Sequence, residues 1–366
     1  MPLPPFAHNA SRPVLYPWPD TYSCKPSFMI IGAPKCGSTS LFKYLEAHPD
    51  VRQPLMKELC YFSSFKRYLT RYRASPVTDW GAYVSAFAGR AAARGTSLRR
   101  RTAFADLEER TAQVGPRNQT AGRVRRELDR VKVAHASGIF DACRQGRHVA
   151  FEGCPFYLHE HLAASQIHAT FPRLRTIAVL RNPRERSVSA FNDYVRMGRI
   201  HVSSLPADKD RQLRRLIEDK IGLLRRGERS LEDFDMRILT SAVYIHGLSE
   251  WGRIWPAAQL LVFQSESMFE DAEGVLHRVQ DFLGLTRAIP PSAYGRVHNK
   301  NTQPLKARAS PELNAVLDAF FAPYNEQLYA WMDARNFTYH PWPNATIQST
   351  NDNKTVLFSK NIRAHG

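Results

Sequence analysis

A chain of 366 residues with 43% hydrophobic and 11% aromatic content can bury a sizeable core, so one large domain, with or without insertions, is the expectation. Its 51 Lys and Arg against 34 Asp and Glu leave a formal charge of +17, which favours capture of anionic ligands. That balance alone does not choose among nucleotides, acidic polysaccharides, nucleic acids and anionic membranes, because basic runs also serve as solvated faces.

Cysteine usage is sparse. Cys24, Cys36, Cys60, Cys143 and Cys154 form no C-x-x-C pair and have no His/Cys spacing suited to zinc, so no structural metal is expected. The odd count neither proves nor excludes an oxidising compartment, and a bridge among Cys60, Cys143 and Cys154 is open. Five N-x-S/T sequons, at Asn9, Asn118, Asn336, Asn344 and Asn353, point toward the secretory lumen. Chance would give roughly one or two.

Residues 1–26 are rich in Pro and aromatics without periodicity and read as an extended lead-in. They contain neither the apolar core of a signal peptide nor a stretch long enough to span a bilayer, so no membrane anchor is visible in this chain. Phe28-Met29-Ile30-Ile31 then reads as a buried parallel strand, followed by Leu41, Phe42 and Leu45 at helical spacing up to Pro49. From about 64 to 140 the chain turns Arg- and Ala-rich, including Arg99-Arg100-Arg101, and reads as a basic insertion.

Strands are expected again at Val149-Ala150-Phe151 and Thr176 to Leu180, the latter feeding a helix with Asn182 as N-cap and Pro183 at its first position. A charged stretch from Asp208 to Asp235 reads as a solvated helix able to lie over a cleft. One helix through Ile238, Ala242, Ile245, Leu248 and Trp251, a strand at Leu260 to Phe263, and a helix closed by Gly284 follow. The last helix starts at Ser310-Pro311, and the tail from 341 to 366 reads as disordered. Strands alternating with helices imply an α/β fold, a central parallel sheet flanked by helices in three layers.

The chemistry concentrates at two strand-to-helix junctions. Gly32-Ala33-Pro34-Lys35-Cys36-Gly37-Ser38-Thr39-Ser40 places glycines, hydroxyls and a lysine where backbone N–H groups and a helix dipole converge on an anion. Gly32 and Gly37 have the spacing of the Walker glycines, yet a nucleoside triphosphatase needs Lys after the second of them, and Ser38 stands there. The strand Thr176 to Leu180 ends in Arg181 rather than in a metal-holding Asp, which suits a second anion.

These residues resemble the PAPS-dependent sulfotransferases, in particular the Golgi carbohydrate branch that includes the heparan sulfate and chondroitin sulfotransferases. PKCGSTSL resembles the family's 5′-phosphosulfate loop, and RNPRERSVSAF resembles its 3′-phosphate motif, in which Arg181 and Ser189 would grip the ribose 3′-phosphate. Lys57-Glu58-Leu59-Cys60-Tyr61-Phe62 resembles the segment that carries the catalytic base, which maps to Glu58. Phe151 to Tyr157 resembles the substrate-side element, in which Glu152 would orient the sugar, and the loop at Lys306-Ala307-Arg308 resembles the one that closes over PAPS. The likeness covers roughly residues 27–63 and 148–335 and departs at Gly153, where many heparan sulfate enzymes have Lys, and at Cys60, where His is common.

The resemblance implies a sulfotransferase domain over 27–340, a P-loop-like fold, PAPS as donor, PAP as product and no required metal. It further implies a Golgi-lumenal location and an acidic carbohydrate acceptor, not a nucleic acid. Lys35 would be the cation near the bridging oxygen, with Cys36, Gly37, Ser38, Thr39 and Ser40 around the 5′-phosphate. Two rivals stand beside this reading: a cytosolic-type enzyme of small phenols or alcohols, which would rely on a histidine base, and a non-catalytic heparin- or nucleic-acid-binding protein.

Overall fold

The computed structural model describes residues 25–52, 54, 57–63, 80–87, 149–202, 206–231, 233–294, 298 and 306–343. Most of the lead-in, nearly all of the basic insertion, the tail beyond 343, Cys143 and the sequons at Asn9, Asn118, Asn344 and Asn353 lie outside the described residues.

Strand β1 spans Pro26–Gly32 and runs through a loop into helix α1, Ser38–Glu46. The short strand β2, Val51–Arg52, and a helical turn α2, Trp80–Ser85, precede β3, Val149–Gly153. Helix α3, Ala163–Thr170, leads to β4, Arg175–Leu180, and α4, Pro183–Arg196. Then come α5 (Pro206–Arg225), α6 (Arg237–Thr240) and α7 (Tyr244–Ile254). Strand β5 (Leu260–Gln264), α8 (Ser265–Glu270), α9 (Ala272–Leu283) and α10 (Pro311–Asp333) complete the order.

The five strands lie in the order β2-β3-β1-β4-β5, and every pairing is parallel. Because side chains alternate across a strand, the two faces divide cleanly. Phe28 and Ile30 of β1, Phe151 of β3, and Ile177 and Val179 of β4 pack with Leu41, Phe42, Val275 and Val279 from α1 and α9. Met29, Ile31, Ala178, Leu180 and Val262 face the other way, into a larger core with Ile167, Phe191, Leu248, Leu317 and Phe321 from α3, α4, α7 and α10. This is the three-layer α/β arrangement expected, with helices covering both faces.

The local signals act as read. Asn182 caps α4 by accepting from the Arg184 N–H at 3.0 Å, and Ser310 caps α10 by accepting from Leu313 at 3.3 Å. Gly284 closes α9 at φ 68°, a left-handed conformation that suits a residue without Cβ.

Two expectations change. The helix expected from Ile238 through Trp251 is two, α6 and α7, because the Arg186 guanidinium takes the carbonyls of Arg237 and Ile238 at 2.8 Å each. The chain tightens there to Ala242 N–H to Leu239 O and Val243 N–H to Thr240 O before restarting at Tyr244. Helix α5 is also not merely solvated: Leu213, Ile217, Ile221 and Leu224 form a buried stripe at helical spacing.

Candidate active site

The site forms at the carboxyl ends of β3, β1 and β4, the usual ligand-binding edge of an open parallel sheet. After β1 the chain turns sharply. The Ala33 N–H donates to the Val179 carbonyl of β4 at 2.8 Å, so the loop starts pinned to its neighbour strand. A Cβ on Gly32 would meet the Leu158 side chain at 2.6 Å, which explains the need for glycine there. Gly37 takes φ 88° as the residue before α1, with Met268 and Phe269 packed against it. The first N–H groups of a helix have no acceptor within it, so Ser38, Thr39 and Ser40 present their donors at a positive dipole end.

Lys35 sits within this loop at φ 71°, its Nζ 3.2 Å from Asp193 Oδ1 of α4. Burial lowers the lysine's pKa below its usual value, with Asp193 opposing that shift. Burial also works to raise Asp193, but the charges of Lys35 and Arg196 outweigh it and hold its carboxyl below the usual range. The lysine is therefore an anchored cation in a partly dehydrated position.

Cys36 turns its side chain into the core, its thiol donating to the Pro34 carbonyl at 3.6 Å. Its thiol is buried, lies 3.3 Å from the Tyr244 hydroxyl, and is pushed up to about 11 by that burial. Any contact from Cys36 to a ligand in the loop must come from its backbone. Ser40 is likewise engaged, its Oγ accepting from the His298 N–H at 3.0 Å. Thr39 is half-buried and Ser38 nearly fully buried.

The second junction follows β4. Arg181 is partly exposed, with an ion pair to Glu185 at 3.6 Å. Ser189 lies half-buried two turns along α4. Three contacts register this junction against the first. The Arg186 Nε donates to the Pro34 carbonyl at 3.1 Å, the Tyr244 hydroxyl donates to the Arg181 carbonyl at 2.9 Å while touching Cys36, and Lys35 reaches Asp193. Asn192 adds the loop at 306–308, accepting from the Ala307 N–H at 2.9 Å and donating to its carbonyl at 3.0 Å. Lys306 and Arg308 thus flank a residue fixed to the helix that carries Ser189, and the Arg308 N–H donates to Asp210 at 2.7 Å.

On the far side of β1, Glu58 lies over the end of β3, its N–H donating to the Gly153 carbonyl at 3.1 Å. Its carboxylate is 2.5 Å from Lys57 Nζ. Cys60 is bonded to Cys154, which resolves the pairing left open by the sequence. Gly153 is required by packing, since a Cβ there would lie 2.8 Å from the Phe42 ring.

Glu152 departs from the expectation of a sugar contact. It is 0% exposed, and its carboxylate accepts from the Cys60 N–H at 2.9 Å, from Tyr157 OH at 2.9 Å and from Tyr83 OH at 2.6 Å. Burial pushes its pKa up to about 7, against the lowering effect of these donors. A carboxylate so enclosed orients protein groups, not a ligand in the cleft.

Among the described residues no group of three or more His, Cys, Asp or Glu could hold a metal ion. The sequon residue Asn336 is exposed just past α10 at φ 55°. Arg186, Asp193, Asn192, Tyr244, Tyr83 and Tyr157 were not singled out from sequence. Of these only Arg186 and Asp193, charged residues on the buried side of an otherwise amphipathic helix, carried a readable signal.

Two strand-to-helix junctions on adjacent parallel strands define a P-loop-like α/β protein. A family model described as a sulfotransferase domain matches residues 25–300, and the chain belongs to that family. Among similar proteins, human carbohydrate sulfotransferase 15 is 24% identical over 336 residues, covering 83% of this chain and 53% of the relative. Mouse heparan sulfate glucosamine 3-O-sulfotransferase 3A1 is 23% identical over 331 residues, covering 85% and 64%. The chain thus spans about half the length of the first curated relatives it matches. A solved sulfotransferase from Alicyclobacillus acidocaldarius shares the fold, with a TM-score of 0.52 at 21% identity over 86% of this chain and 99% of that one.

Proposed function

We propose that this protein transfers the sulfuryl group of PAPS to a hydroxyl of a carbohydrate, an acidic glycosaminoglycan-like chain. The observation that carries this reading is the side-by-side placement of two strand-to-helix junctions rich in hydrogen-bond donors and cations, after β1 and after β4, bridged by Arg186 and Tyr244. Such a pair suits a nucleotide phosphorylated at both ends of its ribose. The names of the relatives support a carbohydrate acceptor.

Lys35 and the N–H groups at the start of α1 would hold the 5′-phosphate and stabilise the charge it gains as its bond to sulfur breaks. Arg181 and Ser189 would hold the 3′-phosphate, with Lys306 and Arg308 closing over the nucleotide. Glu58 would accept the proton of the acceptor hydroxyl as its oxygen bonds to sulfur, in line with the departing phosphate oxygen. The position of the Glu58 segment over β3, one strand from the β1 loop and on the side away from Arg181, supports that division of roles. Fixed charges and dipoles suffice for this chemistry, so the mechanism assigns no role to a metal.

The Cys60–Cys154 bridge and the exposed sequon at Asn336 support a lumenal compartment of the secretory pathway, the Golgi for this class of reaction. No helix among the described residues is long and apolar enough to cross a membrane. Calorimetric titration with PAP tests the nucleotide site. Transfer of labelled sulfate from PAPS to desulfated chondroitin, dermatan and heparan chains then tests the acceptor. Binding without transfer to any glycan, or transfer only to small phenols, would discard the carbohydrate assignment.

A further inference from the structure

The segment from Glu58 to Phe62 is stitched to the end of β3 at every second residue. The Glu58 N–H donates to the Gly153 carbonyl at 3.1 Å, and the Cys60 N–H donates to Glu152 at 2.9 Å. The Cys60 sulfur is bonded to Cys154, and the Phe62 N–H donates to the Tyr157 hydroxyl at 3.3 Å. Tyr157 in turn donates to the same Glu152 oxygen that Cys60 uses, and Tyr83 of α2 donates to the other at 2.6 Å. Apart from Glu58, which is half-buried, these residues are buried, with Cys60, Cys154, Glu152, Tyr83 and Tyr157 at 0% exposure.

A carboxylate inside a core costs several kcal/mol of desolvation unless fully satisfied, so its retention calls for a purpose. Here its three donors come from three separate stretches: the Glu58 segment, the chain just after β3, and α2. Glu58 itself has φ 67° and Cys60 φ 51°, conformations an L-residue keeps only when its surroundings hold it. An unclamped segment would relax away from them.

We propose that Glu152 and the Cys60–Cys154 bridge form a clamp that positions Glu58, with Tyr83 tying the clamp to α2. This rests on the reading of Glu58 as the base. Glu152 is then a positioning residue: it touches neither nucleotide nor acceptor, and it sets where the base carboxylate stands. The bridge joins Cys60, within the base segment, to Cys154 just past β3 and so holds by covalent linkage what hydrogen bonds alone would leave mobile.

The test compares the full chain with Glu152→Gln, Tyr83→Phe and the double variant Cys60→Ser/Cys154→Ser. Turnover of PAPS with the best glycan acceptor, PAP affinity and backbone hydrogen exchange are measured for each. Glu152→Gln and the double variant are expected to lower kcat about tenfold or more, since small misplacements of reacting groups carry large rate penalties. Tyr83→Phe should lower it about threefold, and PAP affinity should stay within about twofold throughout. Exchange should quicken at 58–62 and stay unchanged at 36–42.

Built into Glu58→Gln, the clamp variants should cause no further loss of kcat, whereas general structural damage would multiply with the base variant. Unchanged kcat in Glu152→Gln and Tyr83→Phe, which keep the local shape and the bridge, would overturn the proposal. So would exchange that quickens equally in both segments with loss of PAP binding. Full activity of Glu58→Gln alone would instead remove the base assignment, and the exchange pattern would still report whether the clamp holds its segment.

Discussion

The two junctions proposed to hold the nucleotide and the Glu58 region proposed to meet the acceptor differ in how far apart along the chain their parts lie. The first is made of two short runs, 32–40 and 181–189, each a strand end, a turn and a helix start, and its chemistry comes largely from backbone geometry. The second is assembled across distance: Cys60 meets Cys154 at a sequence separation of 94, and Glu152 meets Tyr83 from 69 residues away. A site built from helix termini tolerates change in the side chains around it, whereas one built from buried cross-links shifts as a unit when any member is altered.

Variants on each side can break that comparison. The largest effect is expected from Glu58→Gln, which should lower kcat by about a hundredfold or more through loss of the proton acceptor. Calorimetry should find its PAP affinity unaltered, and a parent-like rate would move the base elsewhere. Arg181→Ala should weaken PAP binding by at least about thirtyfold, the cost of a charge-assisted contact to phosphate, and leave the unfolding midpoint near that of the parent. A retained affinity would separate Arg181 from the nucleotide.

Arg186 ties the two junctions of the first region together, and Arg186→Ala sharpens the contrast. Three carbonyls, of Pro34, Arg237 and Ile238, would each lose a donor at once. Stability in urea should fall by about 4 kcal/mol, and PAP affinity should fall with it as the loop loses its register. If stability drops and affinity does not, the first loop holds its shape without this tie.

Last, and requiring no change in turnover, is a pH signature of stability around Glu152. Burial raises Glu152 to about 7, so the folded chain keeps that proton to a higher pH than the unfolded chain does. The stabilisation this gives is complete below the unfolded carboxyl's pKa and is lost as pH rises to about 7, a change of up to about 3 kcal/mol. Glu152→Gln should remove this slope from a series of denaturant titrations. Parent and variant curves that run parallel would show that the carboxyl is not perturbed in the fold.

The same contrast explains what could be read from sequence. Apolar runs at 28–31 and 176–180, the Asn182-Pro183 and Ser310-Pro311 starts and the Gly284 stop are local signals, and they became the elements they announce. Lys35 and Arg181 stood out as candidates because each lies in a short contiguous strand-turn-helix run. Glu152 looked like a ligand contact because its neighbours in sequence do; only the fold reveals Tyr83 and Cys60 closing over it. The break between α6 and α7 was hidden for a similar reason, since the group that causes it, Arg186, is 51 residues away.

Val51 and Arg52 of β2 pair with Val149 and Ala150 of β3, and the Val149 N–H donates to the Asp50 carbonyl. Everything between Arg52 and Val149 therefore leaves and re-enters the sheet at neighbouring points about 5 Å apart, the spacing of adjacent strands. Because closing a long loop costs only slightly more than closing a short one, the sheet itself sets little limit on the length of this stretch, and the groups that must stay are Glu58, Cys60 and Tyr83. Chain length after Phe87 can therefore vary while the Glu58 segment, its bridge to Cys154 and the two junctions after β1 and β4 keep their places.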